Sequence, residues 1–274
     1  MQDSLKKIKL GLIGGGQMAQ ALITGILSKS LLEPEQIVVS DISDERLTLL
    51  KESFGVNTTK SNIEVAKKCN VLILAIKPQV IDQVLSELSK KLGAKHLVIS
   101  IVAGVSLERL ESSLKSGCRV IRVMPNTPAL IQEAASALCK GKNATDEDLD
   151  LATLIFSNIG KAVIVPESMM DAVTGLSGSG PAYCFTFIEA LIDAGVKQGL
   201  PRDIAQLLAV QTVIGSAKLI EETSKPPCIL KEMVTSPGGT TIAGLYKLER
   251  AGFRGIVMEA VEAATKRSKE LGSK

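Results

Sequence analysis

The feature that most constrains this chain is a glycine run at its first predicted strand–helix junction. Gly14-Gly15-Gly16-Gln17-Met18-Ala19 follows the apolar stretch Ile8–Ile13 and opens a helical stretch from Gln17 to Ser30. This is the G-x-G-x-x-A form of a dinucleotide fingerprint. Gly14 allows a tight turn, and Gly16 lets backbone approach a pyrophosphate. Ala19 permits close helix–strand packing, and the helix start offers free N–H groups to an anion. A glycine-rich turn without a ligand is the competing reading; the strand–turn–helix context favours the fingerprint.

The rhythm beyond it agrees. Further strand candidates are Ile37–Ser40, Val71–Ile76, Leu97–Val102 and Arg119–Val123, with others near Ser136–Lys140 and Ala162–Val165. They are apolar runs rather than alternating ones, as expected where a parallel sheet is covered on both faces. Helix candidates lie between them at Asp44–Phe54, Asn62–Lys68, Pro78–Lys91, Leu107–Lys115 and Asp146–Asn158. This predicts an α/β fold, an N-terminal Rossmann-type doubly wound sheet over residues 1–168. Residues 169–274 read as helices throughout. Ala182–Val196 carries only Glu189 and Asp193, so it is apolar on more than one side. Such helices need more cover than a small domain offers, which predicts an all-α dimerisation domain; simple packing on the sheet is the bland alternative.

Composition removes other functions. A single histidine, His96, excludes zinc or iron sites needing several imidazoles. It also leaves any histidine-based triad with one option. At the edge of a predicted strand, His96 reads as a surface or cap residue rather than a catalyst. Seven aromatic rings and no Trp argue against a stacking platform for nucleic acid, and a net charge of +3 implies no polyanionic partner. The longest mid-chain apolar run, Val71–Ile76, is far too short to span a membrane. The basic, apolar N-terminus imitates a signal peptide, but the glycine run interrupts it, so no transit or secretory segment is expected. Five scattered cysteines without a CxxC pair suit reduced thiols in a cytoplasmic setting.

Several further segments carry chemistry. Ser40-Asp41 ends the second strand, where adenosine ribose usually lies. Asp41 there favours NAD(H), Ser40 with Arg46 favours NADP(H), and Asp41 serves equally well as a helix N-cap. Lys77-Pro78 follows a central strand. Ala103-Gly104 lacks bulk where a nicotinamide has to pass, and Met124–Pro128, with Asn126, forms another polar rim. In the helical half, Gly175–Pro181 (with Ser177, Gly178 and Ser179) and Ser236–Thr241 (with Gly238, Gly239, Thr240 and Thr241) each lead into a helix. Each suits a small anion such as a carboxylate. A helix–helix turn with a hydroxyl cap is the alternative for either.

These residues resemble pyrroline-5-carboxylate reductase. The resemblance runs from Ile13–Ala19 through Ala75–Pro78, Ala103-Gly104 and Val120–Pro128 to Asp171–Tyr183 (DAVTGLSGSGPAY) and Ser236–Thr241 (SPGGTT). It implies reduction of 1-pyrroline-5-carboxylate to L-proline by hydride transfer from NADPH or NADH, the last step of proline biosynthesis. It implies a homo-oligomer, a dimer with interleaved helical domains, assembled into a decamer as a pentamer of dimers. It places cofactor contacts at Gly14, Gly15, Gly16, Gln17, Met18, Ser40, Asn62, Ala75, Lys77, Pro78, Ala103 and Gly104. Substrate contacts fall on Glu167, Gly239, Thr240 and Thr241, with the Thr241 hydroxyl as the catalytic partner of the ring nitrogen. Preference for NADPH agrees with Ser40 and Arg46, and Asp41 leaves NADH use open. Two rivals are a Rossmann 3-hydroxy acid dehydrogenase and a non-catalytic NAD(P)-binding regulator. The first normally needs a lysine on the long helix after the cofactor domain. That helix here holds Glu189 and Asp193, with Lys197 only near its end.

Overall fold

The structure, a computed structural model, describes Leu5 and residues 7–272. The chain forms two compact units. One runs to Ser179 and takes in the residues from Ala263 onward; the other is Gly180–Glu262.

The first unit is built on eight strands: β1 (Leu10–Ile13), β2 (Ile37–Ser40), β3 (Asn57–Thr59), β4 (Val71–Leu74), β5 (Leu97–Ser100), β6 (Arg119–Met124), β7 (Ala134–Lys140) and β8 (Gly160–Ile164). Their order is β3-β2-β1-β4-β5-β6-β7-β8. Pairing is parallel except between β6 and β7. The order reverses between β1 and β4, so a crevice opens at the carboxyl ends of these two strands. The helices of this unit are α1 (Gln17–Ser28), α2 (Asp44–Phe54), α3 (Asn62–Lys68), α4 (Ile81–Leu88), α5 (Leu107–Ser113), α6 (Asp146–Ser157) and α7 (Met170–Val173).

Why the strands read as unbroken apolar runs is visible in the core. Leu10 and Leu12 of β1, Ile73 of β4 and Leu97 and Ile99 of β5 face one hydrophobic cluster. Ile13, Leu72, Leu74 and Val98 face a second cluster. Successive side chains point to opposite faces, and both faces are buried, so successive positions along these strands are apolar, and a buried polar one needs a partner. β3 was not visible in the sequence. It is an edge strand of Asn-Thr-Thr with no buried residue, so it has no hydrophobic signal to read.

His96 departs from its expected surface position: it is 1% exposed. Its Nδ1 accepts the Gly93 N–H at 3.1 Å, and Nε2 lies 3.1 Å from the Ala66 carbonyl. With Nδ1 accepting, Nε2 must carry the proton and donate to Ala66. The ring therefore caps the Gly93–His96 turn from the inside and ties it to α3. Cys69, Cys118 and Cys139 are also buried, and burial pushes each thiol up to about 11. They behave as small apolar side chains, not nucleophiles.

The second unit contains α8 (Gly180–Lys197), α9 (Arg202–Thr223), α10 (Pro227–Met233), α11 (Thr240–Arg250) and the first half of α12 (Phe253–Gly272). Helices α8 and α9 pack on each other, and Phe187 meets Phe253 at 6.0 Å between ring centres. Little else is covered. Five of the chain's seven rings lie in this unit, and Phe185, Phe187, Tyr246 and Phe253 are all exposed. Ile204, Leu207, Leu208, Ile256 and Met258 are exposed with them. By length and composition alone α9 could cross a membrane. An apolar surface of this extent is an association surface.

Two outcomes follow. Phe185→Asp, which puts a charge on this surface, is expected to shift the protein to smaller species in sedimentation velocity at micromolar concentration. Burial lowers the His96 pKa, so the unfolded chain takes up a proton near pH 6.5 before the folded one does. Stability should hold above that pH and fall below it. His96→Gln should remove that dependence at a cost of about 1–3 kcal/mol, measured by urea unfolding between pH 5 and pH 8.

Candidate functional site

The glycine loop lies at the switch point of the sheet. Gly14 has φ +99°, and its N–H donates to the Ser40 carbonyl at 2.8 Å. A Cβ on Gly14 would lie 2.5 Å from the Ala75 carbonyl oxygen, so no larger residue fits between β1 and β4. Gly16 differs. It is the N-cap of α1, with φ −71°, and a Cβ there would meet nothing within 4 Å. Helix α1 has no side-chain cap and no acidic residue in its first turn. By contrast α2, α3, α5 and α6 are capped by Ser43, Ser61, Ser106 and Thr145. The open N–H groups of α1 and the empty space over Gly16 fit a dinucleotide pyrophosphate.

The loop is braced on both sides. The Gly15 N–H donates to Asp41 Oδ2 at 2.7 Å, and Arg46 Nε donates to the Gly15 carbonyl at 2.8 Å. Arg46 also donates to Gln20 Oε1 at 3.2 Å. The second Asp41 oxygen accepts the Ser43 N–H at 2.9 Å. Asp41 is thus not the N-cap of α2; β2 ends at Ser40, Asp41 lies in the short connection that follows, and Ser43 caps the helix. Ser40 is fully buried, and its hydroxyl donates to Asn62 Oδ1 at 2.7 Å. Asn62 in turn donates to Glu87 at 2.9 Å. Gln17, Lys77, Pro78 and Ala103 are exposed along the same carboxyl-end face, with Met18 and Ala75 half-buried. Gly104 turns with φ +72°.

Asn126 joins three segments. Its amide donates to the Ser177 carbonyl at 3.0 Å, and its oxygen accepts the Ala135 N–H at 2.9 Å. The segment around Ser177 is not the expected turn before a fresh helix. Thr174–Gly178 is π-helical and runs almost directly from α7 into α8. Thr174 and Ser177 hydroxyls donate back to the carbonyls of Met170 and Val173, and the Ser179 N–H donates to Thr174. A Cβ on Gly178 would lie 2.7 Å from the Met124 methyl; the missing side chain lets the wide turn seat on β6. The Ser236–Thr241 segment does form a turn before a helix. Gly238 has φ +68°, the Gly239 N–H donates to Ser236 at 3.1 Å, and α11 starts on Gly239 without a side-chain cap. Thr241 is half-buried in the first turn of α11.

Glu167 is held from two directions. Its Oε1 accepts the Leu107 N–H at 2.6 Å and faces Arg122 at 3.2 Å. Arg122 did not emerge from the sequence, because it stands in the run Arg-Val-Ile-Arg-Val-Met that reads simply as strand. A charge in the middle of a strand buried on both faces was the available signal, since such a charge requires a partner. A cavity of about 250 Å3 lies beside it, lined by Gly104, Ser106, Arg122, Asp171, Lys269 and Gly272. Asp171 there accepts a 2.6 Å hydrogen bond from Ser268 of α12.

A doubly wound sheet with an uncapped glycine loop at its switch point defines a Rossmann-type, dinucleotide-binding protein. Residues 9–104 match the family model described as NADP oxidoreductase, coenzyme F420-dependent, and residues 167–271 match that of pyrroline-5-carboxylate reductase dimerisation. A pyrroline-5-carboxylate reductase of Methanosarcina acetivorans is 50% identical over 97% of this chain and 98% of its own length. One from Arabidopsis thaliana is 46% identical over 97% and 96%. The chain belongs to the pyrroline-5-carboxylate reductase family. Solved structures agree. The Plasmodium falciparum enzyme with NADP bound superposes with a TM-score of 0.88 at 38% identity, covering 97% of this chain and 98% of that one. The Coxiella burnetii enzyme gives 0.91 at 37% identity, covering 96% and 98%.

The two glycines should separate in experiment. Gly14→Ala must relieve a clash in a left-handed conformation, a strain of about 1–3 kcal/mol, so its melting temperature should drop. Gly16→Ala should melt like the parent yet bind NADP+ at least about tenfold more weakly, since its methyl occupies the anion's space. Calorimetric unfolding and NADP+ titration of both variants check this.

Proposed function

We propose that the protein reduces 1-pyrroline-5-carboxylate to L-proline with NADPH, and accepts NADH as well. Kinship with pyrroline-5-carboxylate reductases over almost the whole chain carries this reading. The uncapped α1 start and the space over Gly16 supply its physical counterpart. When bound, the cofactor supplies the hydride. Residues 1–168 hold it: Gly14–Met18 at the pyrophosphate, and Ser40, Asp41, Arg46 and Asn62 near the adenosine end. Ala75, Lys77, Pro78, Ala103, Gly104 and Asn126 border the nicotinamide. Residues 169–274 supply self-association and most of the substrate contacts. Backbone N–H groups at Gly238, Gly239 and Thr240 take the substrate carboxylate, together with the Ser177–Ser179 segment, while Glu167 and Thr241 attend the ring nitrogen.

The reaction asks little acid–base power of the chain. A protonated imine is already electrophilic, so positioning dominates. Hydride adds to the ring carbon of the C=N bond, and the π electrons pass to nitrogen as its lone pair. The resulting amine takes a proton from water, relayed by Thr241 Oγ. No imidazole or aromatic platform is needed, which suits a chain with one histidine and no Trp.

The dimers assemble further into a pentamer of dimers, and the exposed apolar side chains along α8–α12 support contacts beyond one partner. The cytoplasm suits the scattered, unpaired thiols. NADPH oxidation on adding pyrroline-5-carboxylate tests the activity, with a 3-hydroxy acid plus NADP+ as the control; activity only in the control overturns the reading. Thr241→Ala should lower kcat by about 10–100-fold while NADP+ binding by titration stays as in the parent.

A further inference from the structure

We infer that Arg122 is a positioning residue for the substrate, acting through Glu167. The inference rests on the reading that Glu167 contacts the substrate. Arg122 sits in the middle of β6 with its side chain only 9% exposed. A guanidinium cannot shed its proton at any ordinary pH, so a buried one requires a counter-charge. Glu167 provides it, arriving from the segment just after β8.

The geometry is lopsided in an informative way. The Arg122 guanidinium and the Leu107 N–H both approach Oε1 of Glu167, at 3.2 Å and 2.6 Å. Among the described residues no donor is recorded on Oε2. Two donors on one oxygen hold that end of the carboxylate in place and leave the other oxygen available. Glu167 is also the more exposed partner, at 35%, and it lines a cavity of about 450 Å3 with Leu107, Lys140 and Gly141. A carboxylate anchored by one oxygen and open at the other is arranged to accept a hydrogen bond from a cationic N–H. The protonated ring nitrogen of a cyclic imine, and the ammonium of the product, are donors of that class.

Arg122 also reaches the cofactor side. It borders the cavity under Gly104 and Ser106, on the segment that follows β5 at its carboxyl end. One rigid side chain thus spans the distance from that segment to the Glu167 carboxylate. Lysine cannot replace this fully, because a point charge on a flexible stem lacks the planar fork.

The test uses the full-length enzyme with Arg122→Met, Arg122→Lys and Glu167→Gln. Kinetics with each substrate, NADP+ titration, L-proline titration and melting temperature are all measured. Arg122→Met and Glu167→Gln should each raise KM for pyrroline-5-carboxylate, and weaken L-proline binding, by about tenfold. KM for NADPH and Kd for NADP+ should stay within about twofold. Arg122→Lys should recover part of the loss, and the double variant should be no worse than the worse single one. A structural pair alone would move the melting temperature without this one-substrate effect. If Arg122→Met does not fold, Arg122→Lys decides: a raised KM for the imine supports the inference, and an unchanged one overturns it. Glu167→Gln affecting the substrate while folded Arg122 variants do not also overturns it. No effect from Glu167→Gln would instead remove Glu167 from the substrate site.

Discussion

The approach of Gly14 to Ala75 is the contact on which the rest of the first unit depends. Two parallel strands, β1 and β4, end side by side at the point where the strand order reverses. The chain must leave β1 through a turn at φ +99° with the Ala75 carbonyl directly against it. Only glycine tolerates both conditions. The turn delivers the start of α1, uncapped, over the crevice. Around it Asp41 and Arg46 hold the two ends of the Gly15 peptide, so the N–H groups that face an anion are fixed before any ligand arrives. Preorganisation of this kind lowers the ordering cost of binding.

The two units solve opposite problems of burial. In the first, a sheet covered on both faces leaves almost no apolar side chain of its central strands in water. In the second, long helices keep their apolar stripes and most of the chain's few rings exposed. Sequestering so much apolar surface requires further copies of the chain, so fold and assembly are one property here.

Most helices and the buried strands were legible because each carries its own periodic signal. Ile37–Ser40, Asp44–Phe54 and Asn62–Lys68 occupy the residues that their patterns indicate. What escaped has a common cause. β3 exists only because β2 offers it an edge; Asn57–Thr59 has no apolar residue to announce it. His96 is polar and loop-like in sequence, yet the packing of α3 against the turn encloses it. The Gly175–Pro181 segment contains turn-forming residues, but Met124 filling the space at Gly178 favours a π-turn inside a helical run. Arg122 is hidden among apolar neighbours, and its partner is 45 residues away.

The sequence by itself determined the class of fold, the glycine loop, the helical second half and the residues expected at the reaction. These follow from local pattern, because periodicity and glycine placement are written along the chain. Only the tertiary structure decided which polar groups meet: Asp41 on Gly15 rather than at a helix cap, Ser40 on Asn62, and Arg122 on Glu167. Such pairings join residues dozens of positions apart. They are set by which strands lie adjacent and how deeply a charge is buried, and no local pattern encodes either.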